Sequence, residues 1–386
     1  MISRPPFRGR RRPPGRAAAL AAIALAAAVA LPAAQAGSAA ARAVEPRLNQ
    51  IQVIGTHNSY HIEPGPAEFG LMSTVAGAQA GGLQYSHPPL GQQFAGQHVR
   101  QIELDLYADP DGGRYARPAI RRLTGQPPEY DPRMREPGTK VLHVAGLDYR
   151  SNCLALTDCL AAVRDWSRGN PGHVPVAILL EFKDTLDLPV PGGVSIPLVT
   201  WTRERMLGVE EEIRSVFAPA DLITPDTVRR PGRTLEQSVL EGGWPTLSAA
   251  RGKVMFLMDN TGVHRDRYVT GNPGLEGRTL FTSSEPGRPD AAFIKRNDPA
   301  PGIRDLVARG YLVRTRADAD TAQARSGDTT TRDTALATGA QWVSTDYPVP
   351  GLAARFGTGY YAALPGFVPV RCNPVNAPAG CAVTEP

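Results

Sequence analysis

Ile51-Gln52-Val53-Ile54-Gly55-Thr56-His57-Asn58-Ser59-Tyr60 joins a β-branched apolar run to a histidine and an asparagine at its end. A short apolar run bounded by turn residues reads as a strand. A polar pair closing such a run reads as part of a site. Three later runs end in the same way. Ile102-Glu103-Leu104-Asp105-Leu106 carries two carboxylates, Val141-Leu142-His143 a second histidine, and Ala177-Ile178-Leu179-Leu180-Glu181 a third carboxylate. Residues two apart in a strand share a face, so Glu103 and Asp105 project together, and Glu181 and Lys183 repeat the arrangement.

Working outward, strand-like runs are expected at 51–57, 101–107, 141–145, 175–182, 253–259, 279–284, 311–316 and 342–345. Helix-like intervals fall at 157–168, 202–216, 300–309 and 328–338. This alternation predicts an α/β fold, a (β/α)8 TIM-type barrel with long loop insertions at its C-terminal face. Catalytic side chains collect at that face, and the polar residues of the first four runs lie at or near it. Residues 60–100 and 184–250 exceed single crossovers and must hold insertions. The Gly-, Pro- and Gln-rich 61–98 stretch is expected as loops over the barrel mouth, ending in a short helix near 90–97. The Pro-rich 108–140 stretch reads as another loop, and 348–386 as a packed tail of one domain spanning 37–386.

The first 36 residues are set apart. Arg4, Arg8, Arg10, Arg11, Arg12 and Arg16 precede an Ala/Leu/Ile stretch, and Ala34-Gln35-Ala36 has the small residues of a cleavage site. This is the pattern of a signal peptide, so the protein is expected to be secreted. Without those six arginines the chain has 36 basic and 37 acidic residues, a net charge of −1 rather than +5. The high overall basicity therefore belongs to the leader and gives no reason to propose a nucleic-acid partner. The four cysteines form two close pairs, Cys153/Cys159 and Cys372/Cys381. In an exported chain that spacing points to two local disulfides; a zinc site would need four cysteines closer in sequence. Only Lys140, Lys183, Lys253 and Lys295 stand against 38 arginines, so a lysine inside a strand pattern is a site candidate.

One amide and three carboxylates, Asn58, Glu103, Asp105 and Glu181, make an oxygen set suited to a hard cation such as Ca²⁺. Two histidines beside it, His57 and His143, suit proton transfer near neutral pH. A metal-bound hydroxyl would be acidified, one histidine would take its proton, and the other would protonate a leaving oxygen. A lone histidine in an apolar run is usually only packed, and Glu-x-Asp can mark an exposed edge. Here, though, the acids sit within very apolar runs, where unpaired burial costs several kcal/mol or more.

Gly-Thr-His57-Asn58-Ser-Tyr, Ile-Glu103-Leu-Asp105, Val-Leu-His143 and Leu-Leu-Glu181 resemble the phosphoinositide-specific phospholipase C superfamily, in particular its secreted bacterial calcium-dependent branch. The resemblance is strongest from residue 51 to 184 and includes Ser86-His87-Pro88-Pro89-Leu90. It implies a TIM-type barrel that cleaves phosphatidylinositol to diacylglycerol and an inositol phosphate through a cyclic phosphodiester. It also implies His57 and His143 as catalytic groups and Asn58, Glu103, Asp105 and Glu181 as Ca²⁺ ligands. Lys183 and Arg316 are candidate substrate contacts; Arg314, Asp318 and Asp346 could contact inositol hydroxyls or serve in structural pairs, and His61 could line the site. His87, His98 and His173 carry no partner pattern. Phe69, Leu71, Met72 and Leu83 could touch lipid or cap the barrel. The expected partner is a phosphatidylinositol-containing membrane surface, and the expected state a monomer.

Two other readings compete. Glycerophosphodiester phosphodiesterases share the barrel type, and Ser344-Thr345-Asp346-Tyr347-Pro348 resembles their last strand, but their opening His-Arg-Gly is absent. A barrel that binds the inositol-lipid headgroup without turnover is the third possibility, which the complete set of histidines and carboxylates opposes.

Overall fold

The structure, a computed structural model, describes residues 44–186, 188, 190 and 194–386. The expected leader lies outside the described residues. The strands in chain order are β1 (Ile51–Thr56), β2 (Gln101–Tyr107), β3 (Lys140–Val141), β4 (Val176–Phe182), β5 (Leu222–Ile223), β6 (Val254–Met258), β7 (Leu280–Thr282), β8 (Phe293–Lys295), β9 (Leu312–Arg316), β10 (Trp342–Thr345) and β11 (Arg371–Cys372).

Nine of them run parallel: eight in the order β7-β6-β4-β2-β1-β10-β9-β8, and β5 beside the start of β6. A parallel bridge between Ser283 and Phe293, with the Ser284 N–H donating to the Phe293 carbonyl at 3.1 Å, returns β8 to β7 and closes the ring. The register sets Asp105 beside Glu181 on neighbouring strands, so three carboxylates reach one end of the barrel together. Between them Ile102, Leu104 and Leu106 point the other way and join the main apolar cluster. Helix Leu156–Gly169 brings Leu160 and Val163 to that cluster, and helix Arg203–Val216 brings Met206, Val209 and Ile213. The 206/209/213 spacing is one helix face, and each buried side chain contributes roughly 1.5–3 kcal/mol.

Two expectations about strands are corrected. The 141–145 run is not a barrel strand. Only Lys140–Val141 is extended, and it pairs antiparallel with the end of β2. The chain then turns, with the Val144 N–H donating to the Asp148 carbonyl at 2.9 Å and Gly146 at φ +77°. A Cβ at Gly146 would also fall 2.2 Å from Ile196 Cδ1. The eighth barrel position is filled instead by β8, a three-residue strand in Pro- and Asp-rich surroundings.

The 61–98 insertion is more ordered than a set of loops. It holds helix Pro66–Ala76, a 3-10 segment Gly77–Leu83 and helix Leu90–Gly96. Met72 and Leu83 are buried, and Phe69 and Leu71 pack beside them against Val144, Leu147 and Tyr149. These four residues therefore cap the barrel. Cys153–Cys159 and Cys372–Cys381 are bonded, with Cα separations of 5.2 and 6.2 Å. The tail adds β11 to β1 and ends with Glu385 paired to Arg100 beneath β2. Among the described residues no helix is long and apolar enough to cross a membrane.

Candidate active site and metal site

The turn after β1 is built from its own sequence. At Gly55 a Cβ would fall 1.9 Å from Gln101 Oε1, so only glycine lets β2 approach there. Asn58 takes the left-handed conformation at φ +42°, which asparagine tolerates better than most residues. Ser59 then clasps β2: its N–H donates to the Glu103 carbonyl at 2.9 Å, and its Oγ accepts from the Glu103 N–H at 2.8 Å. The motif thus fixes His57 and Asn58 against the strand that carries Glu103 and Asp105.

His57 Nδ1 lies 3.0 Å from Asp346 Oδ1. Assigning the proton to Nδ1 leaves Nε2 as an acceptor facing the cavity, 3.8 Å from Glu103 Oε1. Asp346 is itself held, its N–H donating to Asp318 Oδ1 at 2.9 Å. His87, which showed no partner pattern in the sequence, donates from Nε2 to the His57 carbonyl at 2.9 Å. Desolvation by the surrounding protein, then the charges of Arg316 and Arg314, hold the His57 pKa well below the usual histidine value. The ring is therefore neutral at physiological pH.

His143 reaches the same cavity from the turn after β3. Its Nδ1 donates to Asp148 Oδ2 at 2.8 Å, which leaves its Nε2 free for chemistry. His61 does not line the cavity. It is fully buried behind His143, and its Nε2 meets the same Asp148 Oδ2 at 2.8 Å while Nδ1 meets the Tyr85 carbonyl at 3.0 Å. Both neighbours are acceptors, so both nitrogens must donate and His61 is an imidazolium. Burial opposes that charge, but Asp148 outweighs it and the His61 pKa is raised.

Glu103, Asp105 and Glu181 offer oxygens that all lie within 4.8 Å of one another. Burial raises the pKa of each, and neighbouring carboxylates add to it: Glu181 beside Asp105, and Asp259 beside Glu103 and Glu181. Asp105 Oδ1 is buried and has no hydrogen-bond partner among the described residues. Cationic side chains offset part of this charge. Arg314 donates to Glu103 and Lys295 to Asp259, while Lys183 Nζ stands 3.4 Å from Glu181 and 3.8 Å from Asp105. An orphaned carboxylate oxygen within a repelling, all-oxygen set fits a hard divalent cation.

These groups surround one cavity of about 660 Å³. His57, Asn58, Glu103, His143, Glu181, Lys183 and Arg316 all line it, and Asp105 lies just beneath. Sequence reasoning gave no role to Asp148, Tyr85, Asp259 or Lys295, and offered Asp346 as an inositol contact or a structural pair rather than as the partner of His57. Lysine scarcity is the signal that could have found Lys295. Lys140 and Lys253 are structural, the first buried against Asp109 at 3.3 Å and the second donating to the Ala220 carbonyl.

Residues 46–374 match the family described as phosphoinositide phospholipase C, Ca²⁺-dependent. The chain belongs to that family. Ca²⁺ is accordingly its cofactor, and the acidic group at the barrel mouth is the cluster that could hold the ion. Among solved structures the chain is similar to a calcium-dependent phosphoinositol-specific phospholipase C from Pseudomonas sp., at 16% identity and TM-score 0.52, covering 85% of this chain and 96% of that one. A Ca²⁺-dependent phosphatidylinositol-specific enzyme from Streptomyces antibioticus matches at 18% identity and TM-score 0.48, over 78% and 95%. At this identity the Pseudomonas likeness speaks for the barrel fold alone. No curated protein sequence matches the chain.

Proposed function

We propose that this phospholipase C is exported and cleaves phosphatidylinositol by two-histidine acid–base catalysis. The observation that carries the reading is that two histidines, each with Nδ1 fixed by a buried carboxylate, face one cavity beside the carboxylate set. In this mechanism His57 Nε2 takes the proton of the inositol hydroxyl next to the phosphodiester. The freed oxygen bonds to phosphorus, and the bond to the glycerol oxygen breaks. His143 Nε2 gives that oxygen its proton, so diacylglycerol leaves and a cyclic phosphodiester remains. Asn58, Glu103, Asp105 and Glu181 would hold Ca²⁺, which acidifies the hydroxyl and offsets phosphate charge when bound. Arg316, 3.5 Å from the His57 ring, is placed to contact the phosphoryl oxygens, and Lys183 flanks the carboxylates. Export is supported by the basic, alanine-rich start and the two disulfides.

The test is hydrolysis of phosphatidylinositol vesicles with Ca²⁺ or a chelator, beside His57→Ala. Diacylglycerol should appear only with calcium and be lost in the variant. Turnover of glycerophosphodiesters without diacylglycerol would overturn the reading.

A further inference from the structure

Arg114, Arg117 and Arg122 line a second cleft, of about 360 Å³, with Pro118, Gly146 and Ile196 on its apolar walls. All three arginines are exposed, and none has an ion-pair partner among the described residues. Three carboxylates of the same insertion pair with other cations, Glu129 with Arg135, Asp131 with Arg133 and Asp109 with Lys140, and Arg117 acts on Glu129 only at longer range. Between Arg114 and Arg122 there are four arginines and no acid in nine residues. With a net charge of −1 outside the leader, the attraction is local to this cleft.

The cleft stands beside the catalytic mouth. Its loop leaves the C-terminal end of β2, the end that carries Asp105, and its wall residue Gly146 follows His143 by three positions. Tyr115 of the cleft packs on Tyr107, ring centroids 5.3 Å apart, and Tyr107 donates to the His143 carbonyl at 3.1 Å. On the short helix that carries Arg122, Leu123 is 39% exposed. Unpaired guanidinium groups around an apolar wall, with an exposed leucine beside them, match a phosphate group next to acyl glycerol.

We propose that this arginine cleft binds the phosphate headgroup of a non-substrate anionic phospholipid and so seats the catalytic mouth on the bilayer. The inference rests on the phospholipase reading for the nature of the surface, but its test does not need turnover. The protein is sedimented with phosphatidylcholine vesicles and with phosphatidylcholine–phosphatidylglycerol vesicles, in chelator so that catalysis is silent. The wild type should partition onto the anionic vesicles alone. R114Q/R117Q/R122Q should bind them roughly 100-fold more weakly, from about a factor of five per arginine at an anionic surface. The three side chains are exposed, so an unchanged circular-dichroism melt separates lost binding from lost fold. Equal partitioning of the wild type onto both vesicle types, or of wild type and variant onto the anionic ones, would overturn the proposal. In calcium the variant should keep the wild-type rate on a water-soluble inositol phosphodiester. A loss there would mean that the cleft shapes the active site instead, and would overturn it too. If neither protein turns over, the enzymatic reading fails while the vesicle result still stands.

Discussion

His61 and Asp148 form a fully buried couple, Nε2 to Oδ2 at 2.8 Å, and His143 hangs from the same carboxylate oxygen. Removing His61 would leave a buried carboxylate facing only His143. Burial opposes the Asp148 charge, but His61 and His143 hold its pKa well below the usual carboxylate range. Its contribution is present above about pH 3.9 and lost as pH falls through its lowered value. The His61 pKa is raised, so its contribution is full below about pH 6.5 and is lost as pH rises through that higher value. The couple is therefore strongest between about pH 4 and 6.5. His61→Gln should cost about 3 kcal/mol or more in that window, and the gap in melting temperature should narrow at alkaline pH. A constant gap from pH 5 to 9 would contradict a charged His61.

The environment of His57 predicts a pH profile. Desolvation, Arg316 and Arg314 all disfavour its protonated form. At saturating calcium, kcat/KM should stay flat as pH falls through 6.5 and decline only at lower values. Arg316→Gln removes one of the charges and should move that acid limb toward 6.5. An unmoved limb would mean that the group titrating there is not His57.

Asp346 acts through His57. The Asp346→Asn variant keeps the shape but no longer fixes the Nδ1 proton. It should lower kcat by roughly 100-fold or more, within the usual range of acid–base contributions. KM and calcium-induced stabilisation should change little. If both worsen with kcat, the residue shapes the site as a whole rather than orienting the ring.

Which of these residues could be read in advance follows from how local the signal is. Glu103, Asp105 and Glu181 stand out because charges inside apolar strands are costly unless something compensates them. His57 and Asn58 stand out because a polar pair closes an apolar, β-branched run. Asp346 lies 289 residues from His57, and nothing in one chain links them until β10 pairs with β1. Asp148 was invisible for another reason: Val141 to Ala145 looks the same whether buried as a strand or as a turn. That ambiguity placed His143 on a strand end, whereas a loop presents it. β8 was missed because three residues carry too little pattern to stand out from a loop.

Metal binding should be visible without turnover. The raised pKa values of Glu103, Asp105 and Glu181 mean that the folded state prefers these groups protonated, so without metal they destabilise it increasingly as pH rises. Calcium competes with those protons and relieves the repulsion. At a concentration 100-fold above its dissociation constant it should stabilise the fold by about 2.7 kcal/mol. The gain in melting temperature should therefore be larger at pH 7.5 than at pH 5. Asp105→Asn supplies the oxygen that now lacks a partner but removes one of three negative charges. It should raise the melting temperature of the metal-free protein and shrink the calcium increment. Titration followed by thermal unfolding, with magnesium as a control for ionic strength, checks both at once. An increment that Asp105→Asn leaves intact would place the ion elsewhere.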